Sequence, residues 1–359
     1  MGEITSKSRI HSLAVLAEYS RDIGSGHLME SMAVVETASR RGWAVSLWIS
    51  ESAPASLRER TKVPLQFFGD FMQQKEILNV KRQILRSNYD AVVFNFRRMS
   101  NAVLANFQAD QLSLICIDEL GQRFLDCDVV INPSIVEHFH HYSVQNDRPR
   151  VFAGPQYLSL ADDFCTAHDS ERTFADDLKV ISVSMGGVDR TGTTLRLLEA
   201  LCRLEPMIKK NIILGGGFVF EKEVERQKEL YKDRNFNFYR NISPVASLFL
   251  ESDIVFTAGG NTLYELACLG TPAIVLYEDE HEKETGLAFE RQGFCRCLGS
   301  GREVSTEEVL KAIDGFRLKS QRQAQAVRGR ALVDGKGVGR TLQKIEEFLD
   351  TFERTGTHR

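Results

Sequence analysis

Residues 255–281 read VFTAGGNTLYELACLGTPAIVLYEDEH, and the order of apolar, glycine and polar positions in them sets the architecture of the whole chain. A short apolar run breaks at Gly259-Gly260, a helix begins at Asn261 or Thr262 and closes near Gly270, and Pro272 turns the chain into a second apolar run over residues 273–277. This is half of a βαβ unit with its glycine break at the carboxyl end of a strand, where open α/β sheets bind ligands. A helix start there offers unpaired backbone N–H groups and the positive end of the peptide dipoles to an anion such as phosphate. Gly259 and Gly260 equally fit a plain tight turn. Glu265, one turn into the helix on the face of Asn261, is either a solvated helix residue or a carboxylate placed to accept two ribose hydroxyls.

The same pattern opens the chain. An apolar run at residues 13–16 leads to Gly24-Ser25-Gly26, then to a helix over residues 27–41 with Met29, Met32, Ala33 and Thr37 on its inner stripe, and to a second strand over residues 44–49. Further strands are expected at 91–96, 112–117 and 129–132, the last closing this half, with helices at 75–87 and 102–108. Residues 165–177, CTAHDSERTFADD, are polar and aperiodic and form the expected linker. Beyond them strands are expected at 180–184, 212–214 and 236–239 and helices at 193–204, 221–232 and 244–252. Strands alternating with helices at this spacing give α/β units with parallel sheets, and two such units enclose a cleft.

Composition narrows the function. With 359 residues, 43% hydrophobic, 26% charged and a net charge of −4, the chain has the make-up of a two-domain globular protein without the basic footprint of a nucleic-acid binder. Its 7 cysteines are scattered without metal spacing, as in a reduced, cytoplasmic protein. The first twelve residues lack a signal peptide's apolar core, Gly2 and Ser6 match a myristoylation pattern only formally, and no apolar run nears the ~18 residues of a membrane span. Peripheral membrane contact stays open.

Several side chains carry candidate chemistry. His27 follows the first glycine loop at a helix start, which disfavours the charged imidazolium; it either packs there or acts as a base toward a water or a sugar hydroxyl. Gly186 and Gly187, beside Asp189, form a second turn open to an anion, and Gly215 to Gly217 admit close approach of a ligand or of backbone. His281, just past the strand at 273–277, is a ligand contact or a solvated loop residue. Asp118 and Glu119 end a strand like site residues or turn residues, and His138, His140 and His141 read as a surface run, because no cysteines or HExxH spacing accompany them.

The stretches IGSGHLMES, CDVVINPS, GPQYLSLADDF, ISVSMGGVD and TAGGNTLYELACLGTPAIVL occur in that order, and with them the chain, over roughly residues 13–345, resembles the UDP-sugar hydrolase family of pseudaminic acid biosynthesis. The resemblance implies the two-domain GT-B fold shared with the peptidoglycan N-acetylglucosaminyltransferase that makes lipid II. It implies a Rossmann-like sugar and catalytic domain over residues 1–164, and a Rossmann-like nucleotide-binding domain with a C-terminal helix over residues 178–359. It assigns His27 as the base that activates water against the anomeric carbon and places Gly24 and Gly26 beside it. Gly186, Gly187, Gly259, Gly260, Asn261 and Glu265 would surround UDP, with no metal and no cofactor. The chain departs from the family at Leu16 and Glu18, where an arginine and an aspartate are usual, at Glu30 in place of an arginine, and at Glu280-His281 in place of asparagine-glutamine. Those positions bear on the sugar. The expected activity is hydrolysis of a UDP-activated amino-deoxy sugar; the alternatives are an inverting GT-B glycosyltransferase of surface polysaccharide synthesis and a non-catalytic nucleotide-sugar binding protein.

Overall fold

In the first half, seven apolar runs assemble into one sheet: β1 (Ser12–Ala17), β2 (Ala44–Ser50), β3 (Leu65–Phe68), β4 (Ala91–Asn95), β5 (Ser113–Ile117), β6 (Val129–Asn132) and β7 (Arg150–Ala153). All neighbours are parallel, in the order β3-β2-β1-β4-β5-β6-β7. The second half builds another parallel sheet from β8 (Val180–Ser184), β9 (Lys209–Leu214), β10 (Phe236–Arg240), β11 (Ile254–Thr257), β12 (Ala273–Tyr277) and β13 (Cys295–Ser300), ordered β10-β9-β8-β11-β12-β13. Strands such as AVVFN of β4 are buried along their whole length because helices cover both faces of each sheet. The computed structural model describes residues 11–20, 24–108 and 112–355, so Gly2 and Ser6 lie outside the described residues.

The two sheets repeat one topology, and each has its switch point between the first strand and the strand that follows the reversal: β1 beside β4, and β8 beside β11. Loops leave those strand ends in opposite directions and open a crevice at the carboxyl edge. The glycine loops at residues 24–26, 186–187 and 259–260 all occupy these crevices. The helix Gly26–Arg40 buries Leu28, Met32, Val35 and Ala38 beneath β1 and β2, while Met29 and Thr37, expected on the inner stripe, are only half-buried.

Some boundaries differ from expectation for local reasons. Strands β3 and β7 are edge strands whose residues are mostly exposed or half-buried, so they lack a buried apolar run; β7, not β6, closes the first sheet. The helix Glu280–Arg291 starts with EHEKET, which hides its periodicity, and His281 sits in its first turn rather than in a loop. The expected linker begins inside the helix Asp162–Ala167 and is pinned to the second domain. There Arg172 donates to the carbonyls of Leu250 and Ser252, and Phe174 lies under the guanidinium groups of Arg172 and Arg322, 4.7 and 5.5 Å from its ring centre.

The last helix, Gly337–Thr355, returns to the first domain. Val338, Leu342, Ile345, Phe348 and Leu349 join the core built by Leu13, Val15, Leu47 and Val93. Each such buried side chain stabilises the packing by about 1.5–3 kcal/mol, so the strap ties the two domains firmly. A second domain that keeps its terminal helix does not describe this packing. Among the described residues no helix is long and apolar enough to cross a membrane.

Candidate active site

A cavity of about 230 Å³ opens between the carboxyl ends of the two sheets, and His27, Gly24, Gly26, Gly186, Gly187, Gly259, Gly260, Asn261, Glu265 and His281 all line it. Residues from positions far apart in the chain thus face one space. The two walls touch at its floor: a Cβ on Gly26 would lie 3.1 Å from Nδ2 of Asn261, and one on Gly187 would lie 3.6 Å from the backbone nitrogen of Ser25.

On the first wall His27 stands in the opening turn of the helix Gly26–Arg40, with its Nδ1 2.9 Å from Oδ1 of Asn95 at the end of β4. The Asn95 Nδ2 donates to the His27 carbonyl at 3.1 Å, to Glu30 Oε2 at 3.1 Å and to Ser31 Oγ at 3.2 Å. A carbonyl only accepts, so the amide orientation is set, Oδ1 faces the ring, and Nδ1 of the neutral imidazole carries the proton. Nε2 is left with its lone pair. Asn95 is fully buried. Its position at the carboxyl end of a central strand was the available signal, hidden because it reads as the last letter of an apolar run.

The second wall is built differently. The helix Asn261–Leu269 begins after Gly260, which has no side chain to cap it. Gly259 is required by packing, since a Cβ there would sit 2.1 Å from the carbonyl oxygen of Glu282, whereas the nearest atom to a Cβ on Gly260 is 4.0 Å away. Two neighbouring helix starts are already closed. Asp189 accepts from the backbone nitrogens of Thr193 and Thr194 at 2.9 and 2.8 Å, and Asp279 from that of Glu282 at 3.0 Å. Asp189 therefore caps the helix that starts at Thr193, while Gly186, at φ 79°, and Gly187 present backbone to the cleft wall. Gly215 packs against that loop, its virtual Cβ 2.3 Å from the Gly186 carbonyl, and one on Gly217 would lie 3.0 Å from the Gly187 carbonyl, so these two glycines serve backbone approach.

Charge is concentrated here. Burial first, then the Asp163 carboxylate, pushes Glu265 up to about 8. Burial, then Asp279 and Glu278, pushes Glu282 up to about 7. Burial also raises Asp279, but the Glu282 N–H and the Arg97 guanidinium outweigh it and hold the group below the usual carboxylate range. Arg97 from the first domain and Arg190 from the second both reach Asp279 Oδ2, at 3.0 and 3.3 Å. These two arginines and Asp279, all lining the cavity, were not singled out by sequence; each follows a strand end, but no local pattern marks it.

The remaining candidates divide. His281 stacks parallel on Phe139 at 5.6 Å, with its Nε2 3.8 Å from Oε2 of Glu119, which also lines the cavity. Asp118 instead belongs to a structural knot, accepting from Tyr142 at 2.6 Å, from the Gly121 nitrogen at 3.1 Å and from Arg123. His140 is bonded to the Ser134 carbonyl at 2.7 Å, on the turn Glu137–His140. Leu16 is wholly buried in the core, and Glu18 accepts from the backbone of Arg97 at 2.8 Å.

No protein-family model matches the chain. It is 25% identical over 345 residues to the spore coat polysaccharide biosynthesis protein SpsG of Bacillus subtilis strain 168, covering 94% of this chain and 98% of that one. Among solved structures it is similar to Acinetobacter baumannii MurG, with a TM-score of 0.66 at 16% identity, covering 96% of this chain and 100% of the other. It is also similar to S. aureus MnaA, solved with UDP, with a TM-score of 0.68 at 12% identity over 95% and 97% of the two chains. The fold is therefore GT-B, two Rossmann-like α/β domains facing a central cleft.

Proposed function

We propose that the protein is an enzyme that binds a UDP-activated sugar in this cleft and transfers the sugar to an acceptor hydroxyl during surface polysaccharide synthesis. The observation that carries this reading is the His27–Asn95 pair, a proton-accepting Nε2 set on one wall opposite the uncapped helix start at Asn261 on the other. Nε2 takes the acceptor proton as that oxygen attacks the anomeric carbon, and the bond to the UDP phosphate breaks. The departing charge is received by backbone N–H groups around Gly260 and by the helix dipole, with Arg97 and Arg190 nearby. Glu265 accepts the ribose hydroxyls. The pairing of a set base with a nucleotide seat supports catalysis over binding alone, and the spore coat relative supports polysaccharide synthesis as the setting. Seven unpaired cysteines support a reducing, cytoplasmic location.

A second reading keeps the same groups with water as the nucleophile, releasing a free amino-deoxy sugar for pseudaminic-type acid synthesis. The ordered motifs of the hydrolase resemblance favour it. The purified protein, incubated with a panel of UDP-sugars, decides: UDP released only when an acceptor alcohol is added supports transfer. Release without acceptor supports hydrolysis. Binding of UDP without turnover leaves a binding role, and no binding of UDP overturns both.

A further inference from the structure

Glu30 lies on the helix Gly26–Arg40, only 3% exposed, and it touches both walls of the cleft. Its Oε1 accepts from Nδ2 of Asn261, in the second domain, at 2.7 Å. Its Oε2 accepts from Nδ2 of Asn95, the residue that holds the His27 ring, at 3.1 Å. A carboxyl group buried this deeply is costly unless both oxygens are matched, and here they are matched by one amide from each domain. We propose that Glu30 is a positioning residue that couples docking of the nucleotide-holding helix start to the setting of the His27 imidazole; this rests on the reading that the cleft turns over a nucleotide sugar.

The coupling follows from the order of the contacts. With the second domain docked, Asn261 satisfies Oε1, and Oε2 stays turned to Asn95. The Asn95 amide then faces Glu30 with its nitrogen and His27 with its oxygen, which keeps the proton on Nδ1. When the walls part, Oε1 loses its amide partner inside a low-dielectric site. The carboxyl group must then turn to find another partner, and that turn withdraws the acceptor that holds Asn95. Burial first and the Glu119 charge next hold Glu30 up at about 8, against the lowering effect of the Asn95 and Asn261 amides. Glu119 and Glu265 face it as charges, and Asn95 and Asn261 as hydrogen-bond donors.

Full-length Glu30→Ala and Glu30→Gln proteins test the coupling against a merely structural bridge. Three readouts are needed: the calorimetric affinity for UDP, kcat and KM with a UDP-sugar, and the ¹⁵N shifts of His27 in the free protein, assigned by the signal lost in His27→Ala. Glu30→Ala is expected to lower kcat by about 10- to 100-fold, as small misplacements of a base do, and to move His27 from the Nδ1–H tautomer to a mixture. The UDP dissociation constant stays within ~3-fold. Glu30→Gln keeps the volume and one accepting oxygen, so it folds and shifts both readouts in the same direction by less. An unchanged tautomer and kcat in a folded variant overturn the inference. A lowered melting temperature with unchanged kcat per folded molecule also overturns it, leaving only a structural bridge. If wild-type protein binds no UDP, the functional reading fails separately, and the His27 tautomer in the free variants still decides whether Glu30 sets the ring.

Discussion

Each wall of the cleft is a strand end, a glycine break and a helix start, yet the two walls use that unit in opposite ways. On the first, His27, Asn95, Glu30 and Ser31 form a network joined across the cleft through Glu30 and Asn261, in which one ring nitrogen is left over. On the second, Gly260 caps the helix with no side chain, and Glu265 is half-buried with its side chain bonded only locally, to Thr262. A locked network suits a proton transfer that needs a fixed geometry, and an open helix start suits an anion that arrives and leaves. The same supersecondary unit therefore takes its role from the residues after the glycines.

The contrast can be broken at either wall. Removing the base should have the largest effect: His27→Ala is expected to lower turnover of a UDP-sugar by about 10²- to 10⁴-fold while leaving UDP affinity nearly unchanged. Steady-state kinetics beside calorimetry would reveal an equal loss of binding, which would place His27 on the nucleotide instead. Glu265→Gln should do the reverse at pH 9, where the carboxylate is charged, weakening UDP by about 10- to 100-fold through the ribose contacts, in line with about 1.5–3 kcal/mol for hydrogen bonds to a charged group.

Glu265 also gives the contrast a pH signature. Its folded value of about 8 lies above the ordinary 4.5, so the favourable contribution of the neutral acid is complete below about 4.5 and is lost as pH rises through 8. Glu265→Gln should melt above wild type at pH 9, and the two should converge at pH 4. Melting curves with the opposite order would mean that the carboxylate is stabilised when charged.

Smaller effects separate structure from site. Gly259→Ala forces a Cβ to 2.1 Å from the Glu282 carbonyl, costing about 1–3 kcal/mol as the loop shifts, whereas Gly260→Ala should melt like wild type. Equal melting temperatures for the two would remove the packing reason for Gly259. Least of all, Arg97→Ala removes a pair with Asp279 whose side chains are 36% and 32% exposed, worth about 0.2–1 kcal/mol and fading with salt.

Sequence pattern marked the parts of this contrast that local chemistry dictates. Gly24 and Gly186 have a positive φ, Gly26 and Gly259 face a close approach, and with Gly187 and Gly260 they gather in one cleft. What pattern could not carry is pairing across distance. Glu30 looks like a solvent-facing helix residue until Asn261, 231 positions away, closes on it. Asn95 looks like the end of an apolar strand until it meets His27. The apolar face of the last helix is visible at helical spacing, but nothing local says that it packs on the first domain rather than the second. Edge strands β3 and β7 escape notice because strands that are mostly exposed or half-buried lack a buried apolar run.

The division of roles between the walls is tested most directly by titrating UDP calorimetrically, at pH 9 where Glu265 is charged, into His27→Ala and Glu265→Gln proteins side by side with wild type. If the first wall carries the base and the second holds the nucleotide, His27→Ala binds UDP within ~3-fold of wild type and Glu265→Gln binds it about 10- to 100-fold more weakly. Loss of binding in His27→Ala together with full binding in Glu265→Gln would contradict it.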